Sequence, residues 1–352
     1  MSDELKLSIS SSPQIHSPQS TAKIMWLVVA ALVPAGVWGV YIFGLRALLV
    51  IAVSVAASLA AEYIMTIVFK SGNTLFDGSA FVTGLLVGYN MPPEVPLYVC
   101  AAASVFAIIV VKWTFGGLGA NWMNPALAGR VFVFFSWTSG MSKWTMPRIL
   151  ADAVSSASPD TVSGATPLGF VKTNLMNFTG TSSGPIDFLT SQGYPVHSYL
   201  DLFLGKIPGC IGEVSALLIL IGGIFLILIK IVNWEIPVFY IGSFALLTWI
   251  FGGLNFGNGF FSGDPLFHVL TGGLMLGAIF MATDMVTSPV TRKGMIIYAI
   301  GCGFLTFLIR SYGSFPEGVS LAIILMNIFV PLINRLTQPV KFGRLPKEKK
   351  ND

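Results

Sequence analysis

An all-α polytopic membrane protein is predicted by three features of this 352-residue chain: 54% of its residues are hydrophobic, only 10% are charged, and its mean hydropathy is +0.77. Soluble domains carry nearer to about a quarter charged residues. Several apolar stretches approach or exceed the roughly 18 to 20 residues that cross a hydrocarbon core as helix, and strand-length alternation is absent, so a helical bundle is expected rather than a β-barrel. The lipid bilayer is therefore the expected solvent, and nothing in the net charge of +4 marks a nucleic-acid surface.

Residues 1–23 are polar, with no apolar core leading to a small-residue cleavage site, and are read as a cytoplasmic tail. Ten candidate transmembrane helices follow, at about 24–43, 47–69, 77–91, 95–113, 124–139, 209–230, 234–252, 266–284, 294–310 and 319–336. They divide the chain into a five-helix unit at 24–139, a long polar loop at 140–208, a second five-helix unit at 209–337 and a basic tail at 338–352. With both termini inside, the inner segments hold Lys23, Lys70, Lys230, Arg292, Lys293 and the terminal lysines, as the positive-inside rule requires. The loop 140–208 then faces outward.

The two units share weak, ordered similarities. Val82-Thr83-Gly84-Leu85 answers Leu270-Thr271-Gly272-Gly273, and Asn124 loosely answers Asn327. Because each unit has an odd number of helices, the second enters from the opposite face, which predicts two inverted repeats about an axis in the membrane plane. The third and eighth segments are short, Gly-rich and flanked by Asp77 and Asp264, so both are expected to be broken helices near a polar site.

Four groups of residues carry the chemistry. In the loop, Asp160-Thr161-Val162-Ser163-Gly164-Ala165-Thr166-Pro167-Leu168 combines small residues with turn formers, which predicts an exposed turn presenting the Thr166 hydroxyl to a modifying enzyme; the plain alternative is a simple loop. Between the fourth and fifth helices, Gly116 to Arg130 supplies glycines that admit a planar ligand and two amides, Asn121 and Asn124, three positions apart. Asn124-Pro125 also fits a helix cap followed by the first helical position, and both readings can hold together. Asp284 and Thr287, in Met281 to Lys293, either cap a turn or line the inner mouth of a cofactor or ion site.

Finally, Glu62, Lys112, Arg130 and Glu213 fall within apolar segments, where a charge costs about 2.5–3.5 kcal/mol at the helix centre on insertion scales, so each requires a partner or water. Glu62 is expected either to belong to a cation path or to pair with a base. The three histidines lack ligand spacing, Cys100, Cys210 and Cys302 lie far apart, and no metal site is expected. The sequon Asn177-Phe178-Thr179 is read as chance.

Together, Ser11 to His16, Asn121 to Leu127, Asp160 to Leu168 and Ala282 to Pro289 resemble the NqrB/RnfD family, whose members belong to RNF electron transport complexes and to sodium-pumping NADH:quinone reductases. The resemblance spans nearly the whole chain, and the short amino-terminal region favours the RNF branch of that family. Asp160 to Thr166 is similar to that family's flavin-transfer pattern, with Thr161 standing where the pattern has glycine.

The resemblance implies a urea-transporter-like fold in a bacterial inner membrane. It implies FMN joined to Thr166 by a phosphoester, with Asp160, Ser163, Gly164 and Ala165 forming the transfer motif, and riboflavin held noncovalently by Asn121 and Asn124, with Asp284 and Thr287 nearby. The implied complex passes electrons between reduced ferredoxin and NAD and moves sodium ions or protons. This chain would relay electrons inward from the FMN of the extracytoplasmic partner RnfG, beside the membrane partners RnfA and RnfE; NAD and ferredoxin chemistry would lie elsewhere. The competing expectation is a small-solute channel of the same architecture without flavin.

Overall fold

The computed structural model describes residues 20–70, 72, 74–150, 165–175, 184–196, 198–313 and 315–339, and all regular structure among them is helical. Five helices are long and apolar enough to cross a membrane: α1 (Thr21–Phe43), α2 (Leu45–Val68), α11 (Glu235–Phe251, continued as a helical turn to give the span Glu235–Leu254), α14 (Arg292–Tyr312) and α15 (Val319–Leu336). Shorter apolar helices lie among them: α3 (Ser79–Tyr89), α4 (Leu97–Phe106), α5 (Pro125–Ser136) and α10 (Ala216–Leu228). The last turns of α4 widen into a π-helix that carries the chain on to Trp113. A four-residue α6 (Thr138–Met141) ends this unit, and the loop region forms α7 (Pro167–Leu175), α8 (Pro185–Ser191) and α9 (Tyr199–Leu204).

Local chemistry sets the ends. The Ser20 hydroxyl accepts from the Lys23 N–H to open α1, and Gly44 alone joins α1 to α2 at φ +82°. A side chain there would collide with the Arg148 guanidinium, so the tight link also seats a loop residue. The start of α1 shares a cavity with the end of α10 and with Asp284, which defines one face of the bundle, the tail face. At the opposite, loop face, the Trp38 indole donates to the Leu204 carbonyl at 2.9 Å.

The eighth segment is broken, as expected. Asp264 caps α12 (Pro265–Leu270) by accepting from the Phe267 N–H, Gly272 and Gly273 turn the chain at φ +68° and +67°, and α13 (Leu274–Leu276) then runs on as a π-helix to Met281. Unwound backbone at membrane depth needs internal partners. Arg310 supplies them: its guanidinium donates to the carbonyls of His268 (2.6 Å), Thr271 (3.1 Å), Gly272 (2.7 Å) and Glu317 (2.8 Å) while lying over the Phe244 ring. The third segment is short too, opening after a turn at Leu75–Asp77 and Gly78.

Two sequence expectations change. The sixth helix begins at Ala216 rather than near residue 209, because the N–H groups of Ile211 and Gly212 bond to the carbonyls of Met91 and Tyr89, holding that stretch irregular against the end of α3. Asn124 and Asn327 do not occupy matching places. Asn124 caps α5 whereas Asn327 lies mid-way along the antiparallel α15, and the two meet: turning the Asn327 amide places its oxygen 3.1 Å from the Asn124 backbone N–H.

Candidate cofactor sites

Every buried charge singled out in the sequence has found a partner. Glu62 pairs with Lys112 at 2.8 Å, and Arg130 pairs with Glu213 at 3.1 Å. Around these two ion pairs lie two separate polar sites, one toward each face.

The loop-face site is built on Arg130 of α5. Its guanidinium donates to Asn90 Oδ1 (3.0 Å), Glu213 Oε1 (3.1 Å), Ser320 Oγ (3.0 Å) and Glu317, with the Cys210 sulfur at 3.6 Å. A buried cation and two largely covered carboxylates are held by multiple hydrogen bonds, the condition under which such charge is tolerated. Cys210, Glu213 and Glu317 lie close enough to share an ion, but Arg130 already occupies the carboxylates. All three cysteines are buried and unpaired.

Thr166 opens onto this cluster. A crevice of about 310 Å³ is bounded by Thr166, Glu213, Gly272, Gly273 and Glu317. Thr166 is 5% exposed rather than presented to solvent, and its Oγ1 accepts from the Gly169 N–H at 3.1 Å as the cap of α7; residues 160–164 of the expected turn lie outside the described residues. Pro167 is the first helical residue instead of a turn former, because its fixed φ suits a helix start. Tertiary bonds hold the element in place. Tyr194 donates to the Ala165 carbonyl at 2.6 Å, and the Lys172 ammonium lies within 3.5 Å of the carbonyls of Ile309, Arg310, Gly313 and Phe315 at the end of α14.

The residues here suit a phosphoester. A helix N-terminus favours an anion, and Gly169 keeps the hydroxyl clear, since a Cβ there would come within 3.1 Å of Thr166 Oγ1. Asp160, Ser163 and Gly164 lie outside the described residues, as does Asn177.

The tail-face site is a cavity of about 790 Å³ of non-atom space, and it brings three predicted residues together: Asn121, Asn124 and Asp284 all line it. Thr287 supports the group indirectly, donating to Asp284 Oδ2 at 2.9 Å. Asn124 divides its amide: the oxygen caps α5 by accepting from Ala126 and Leu127, and the nitrogen donates to the Met281 carbonyl at 3.1 Å. It therefore ties the start of α5 to Met281, with its oxygen taken up by two donors and one amide N–H in use.

Asn121 differs. Its Oδ1 is buried and meets no donor among the described residues. A buried amide oxygen without a partner costs about 1–3 kcal/mol, so a polar ligand bearing an N–H fits this wall.

Sequence reasoning missed Asn90, Glu317 and Arg310. Asn90 links the sites: its amide accepts from Arg130 and donates at 3.7 Å to the sulfur of Met281, the residue whose carbonyl Asn124 holds. Its signal was a lone amide ending an apolar run; that of Glu317 was an acid just before Gly318 at a helix start.

Residues 8–343 match the model of the NQR2, RnfD, RnfE family. The chain is 46% identical over 335 residues to a protein of Clostridium ljungdahlii, the subunit designated D of a proton-translocating ferredoxin:NAD(+) oxidoreductase complex, covering 95% of this chain and 96% of the relative. It is 43% identical over 350 residues to the corresponding subunit, also designated D, of the Na(+)-translocating ferredoxin:NAD(+) oxidoreductase complex of Acetobacterium woodii, covering 99% of each. A subunit of the same designation from an ion-translocating oxidoreductase complex of Stutzerimonas stutzeri is 39% identical, covering 92% of this chain and 93% of the relative. With a family model matched across nearly its whole length and relatives of this identity, the chain belongs to the NQR2, RnfD, RnfE family.

Proposed function

We propose that this chain is the flavin-carrying membrane subunit of an ion-translocating ferredoxin:NAD oxidoreductase complex. The observation that carries the reading is the pair of sites joined through the bundle: Thr166 beside the Arg130 cluster, and Asn121 with its unmatched oxygen in the tail-face cavity, linked through Asn90 and Met281. The names of relatives favour the same complex.

In this reading FMN is esterified to Thr166 and riboflavin lies in the tail-face cavity, and the bound flavins supply the electron-carrying chemistry. The protein's part is placement. Thr166 fixes the tether at a helix N-terminus, Arg130 holds Glu213 and Glu317 at the crevice wall, and Asn121 recognises an N–H on the inner ligand. The ten segments form two inverted five-helix repeats of urea-transporter-like fold in a bacterial inner membrane, with termini inside and the Thr166 loop outside, toward RnfG and beside the membrane partners RnfA and RnfE. The coupling ion is Na(+) or a proton, the two ions for which the relatives are named.

Mass spectrometry of the Thr166 peptide from native membranes tests the reading. A peptide heavier by one FMN minus water supports it. An unmodified peptide in membranes active in ferredoxin-dependent NAD reduction overturns it and favours a solute channel.

A further inference from the structure

The tail-face cavity holds an unused donor as well as an unused acceptor. Lys112 is 1% exposed and lines the cavity together with Ser79. An ammonium carries three N–H bonds. Two have acceptors, Glu62 Oε1 at 2.8 Å and Ser79 Oγ at 2.7 Å; the third has none among the described residues.

Glu62 meets three donors. Its Oε1 also accepts from the Thr74 hydroxyl at 2.7 Å, and its Oε2 accepts from the Trp113 indole at 2.8 Å. A carboxylate with three donors around it has little left for a mobile cation, so of the two roles expected for Glu62 the structure favours pairing with a base. Lys112 and Ser79 line the cavity, as Asp284 does, and Glu62 does not. The ion pair thus borders the cavity through its cationic partner.

We propose that Lys112 is a positioning residue for a heteroaromatic cofactor in this cavity, donating to a ligand carbonyl or ring nitrogen while Asn121 accepts from a ligand N–H, and favouring the more electron-rich, reduced form. A pyrimidinedione edge, with an N–H set between carbonyls, has this chemistry. The inference rests on the flavin reading of the same cavity and adds the group that biases its redox state. Lys112 transfers neither electrons nor protons; it changes only the relative affinity for the two forms.

The test uses the full chain in detergent, carrying Thr166→Ala to exclude covalent flavin, with added riboflavin as probe. Binding and the midpoint potential are read by spectroelectrochemical titration, with electrons from the electrode and protons from the buffer. Lys112→Met with Glu62→Gln is expected to weaken reduced relative to oxidised binding about tenfold, lowering the potential by about 30 mV for a two-electron couple. Lys112→Gln with Glu62→Gln, which keeps a polar chain, is expected to move it the same way and guards against misfolding, whereas Lys112→Arg keeps it near the parent value. An unaltered potential in a folded neutral variant that still binds riboflavin overturns the role of Lys112 alone. No riboflavin binding by the folded parent chain overturns the flavin reading of the cavity, and this proposal with it.

Discussion

Asn90 accepts a 3.0 Å hydrogen bond from Arg130 across 40 positions of sequence, and in doing so ties the loop-face ion cluster to the wall of the tail-face cavity. The amide nitrogen of Asn90 completes the tie by donating to the Leu86 carbonyl at 2.7 Å and the Met281 sulfur, so α3, α5 and the broken segment are fixed to one another. The consequences can be measured.

Arg130→Met leaves the largely covered Glu213 and the partly exposed Glu317 without their shared cation. A clear destabilisation is expected, below the about 3–5 kcal/mol lost when a fully buried pair is broken. Thermal unfolding in detergent checks this. Adding Glu213→Gln and Glu317→Gln to Arg130→Met should recover much of the loss.

Thr166→Ala removes the proposed attachment oxygen and the α7 cap together. In-gel flavin fluorescence of the denatured subunit should vanish, and α7 should lose about 1 kcal/mol. Thr166→Ser separates the effects, because it restores the cap. Hydrogen exchange over residues 167–175 should return to the parent rate in that variant whether or not it is flavinylated.

Gly273→Ala meets two obstacles, the φ of +67° and a Cβ that would collide with the Glu213 carboxylate. The backbone strain alone is worth about 1–2 kcal/mol, so a clear fall in melting temperature is expected. Gly209→Ala is the control: its Cβ meets nothing within 4 Å, and its stability should stay within about 0.5 kcal/mol of the parent.

Asn121→Leu converts the orphan acceptor into an apolar wall. Riboflavin affinity of the full chain should fall about tenfold, equivalent to about 1.4 kcal/mol, while the mass of the Thr166 peptide from native membranes stays unchanged. Loss at both places would show that the variant disturbs the fold instead of one cavity.

Much of the scaffold was legible because bilayer helices advertise themselves by length and apolarity. The segment expected at 319–336 is Val319–Leu336, and the one expected at 24–43 is Thr21–Phe43. Glu62, Lys112, Arg130 and Glu213 were also legible, since an isolated charge in an apolar run demands a partner. The identity of those partners was not: Glu317 lies 187 positions from Arg130, and no local period encodes such a contact. Thr166 was read as exposed because small residues and proline signal turns, whereas Tyr194 and Lys172 bury that segment against the bundle through bonds that no local pattern announces.

The end of α14 bears two loads at once. Arg310 grips the carbonyls of the broken helix from within, and Lys172 grips the terminal carbonyls of the same α14 from the loop. Any tilt of that helix end thus drags the Thr166 segment and the Gly272–Gly273 turn in step, so movement of a short loop-face helix is transmitted mechanically to the unwound backbone inside the bundle.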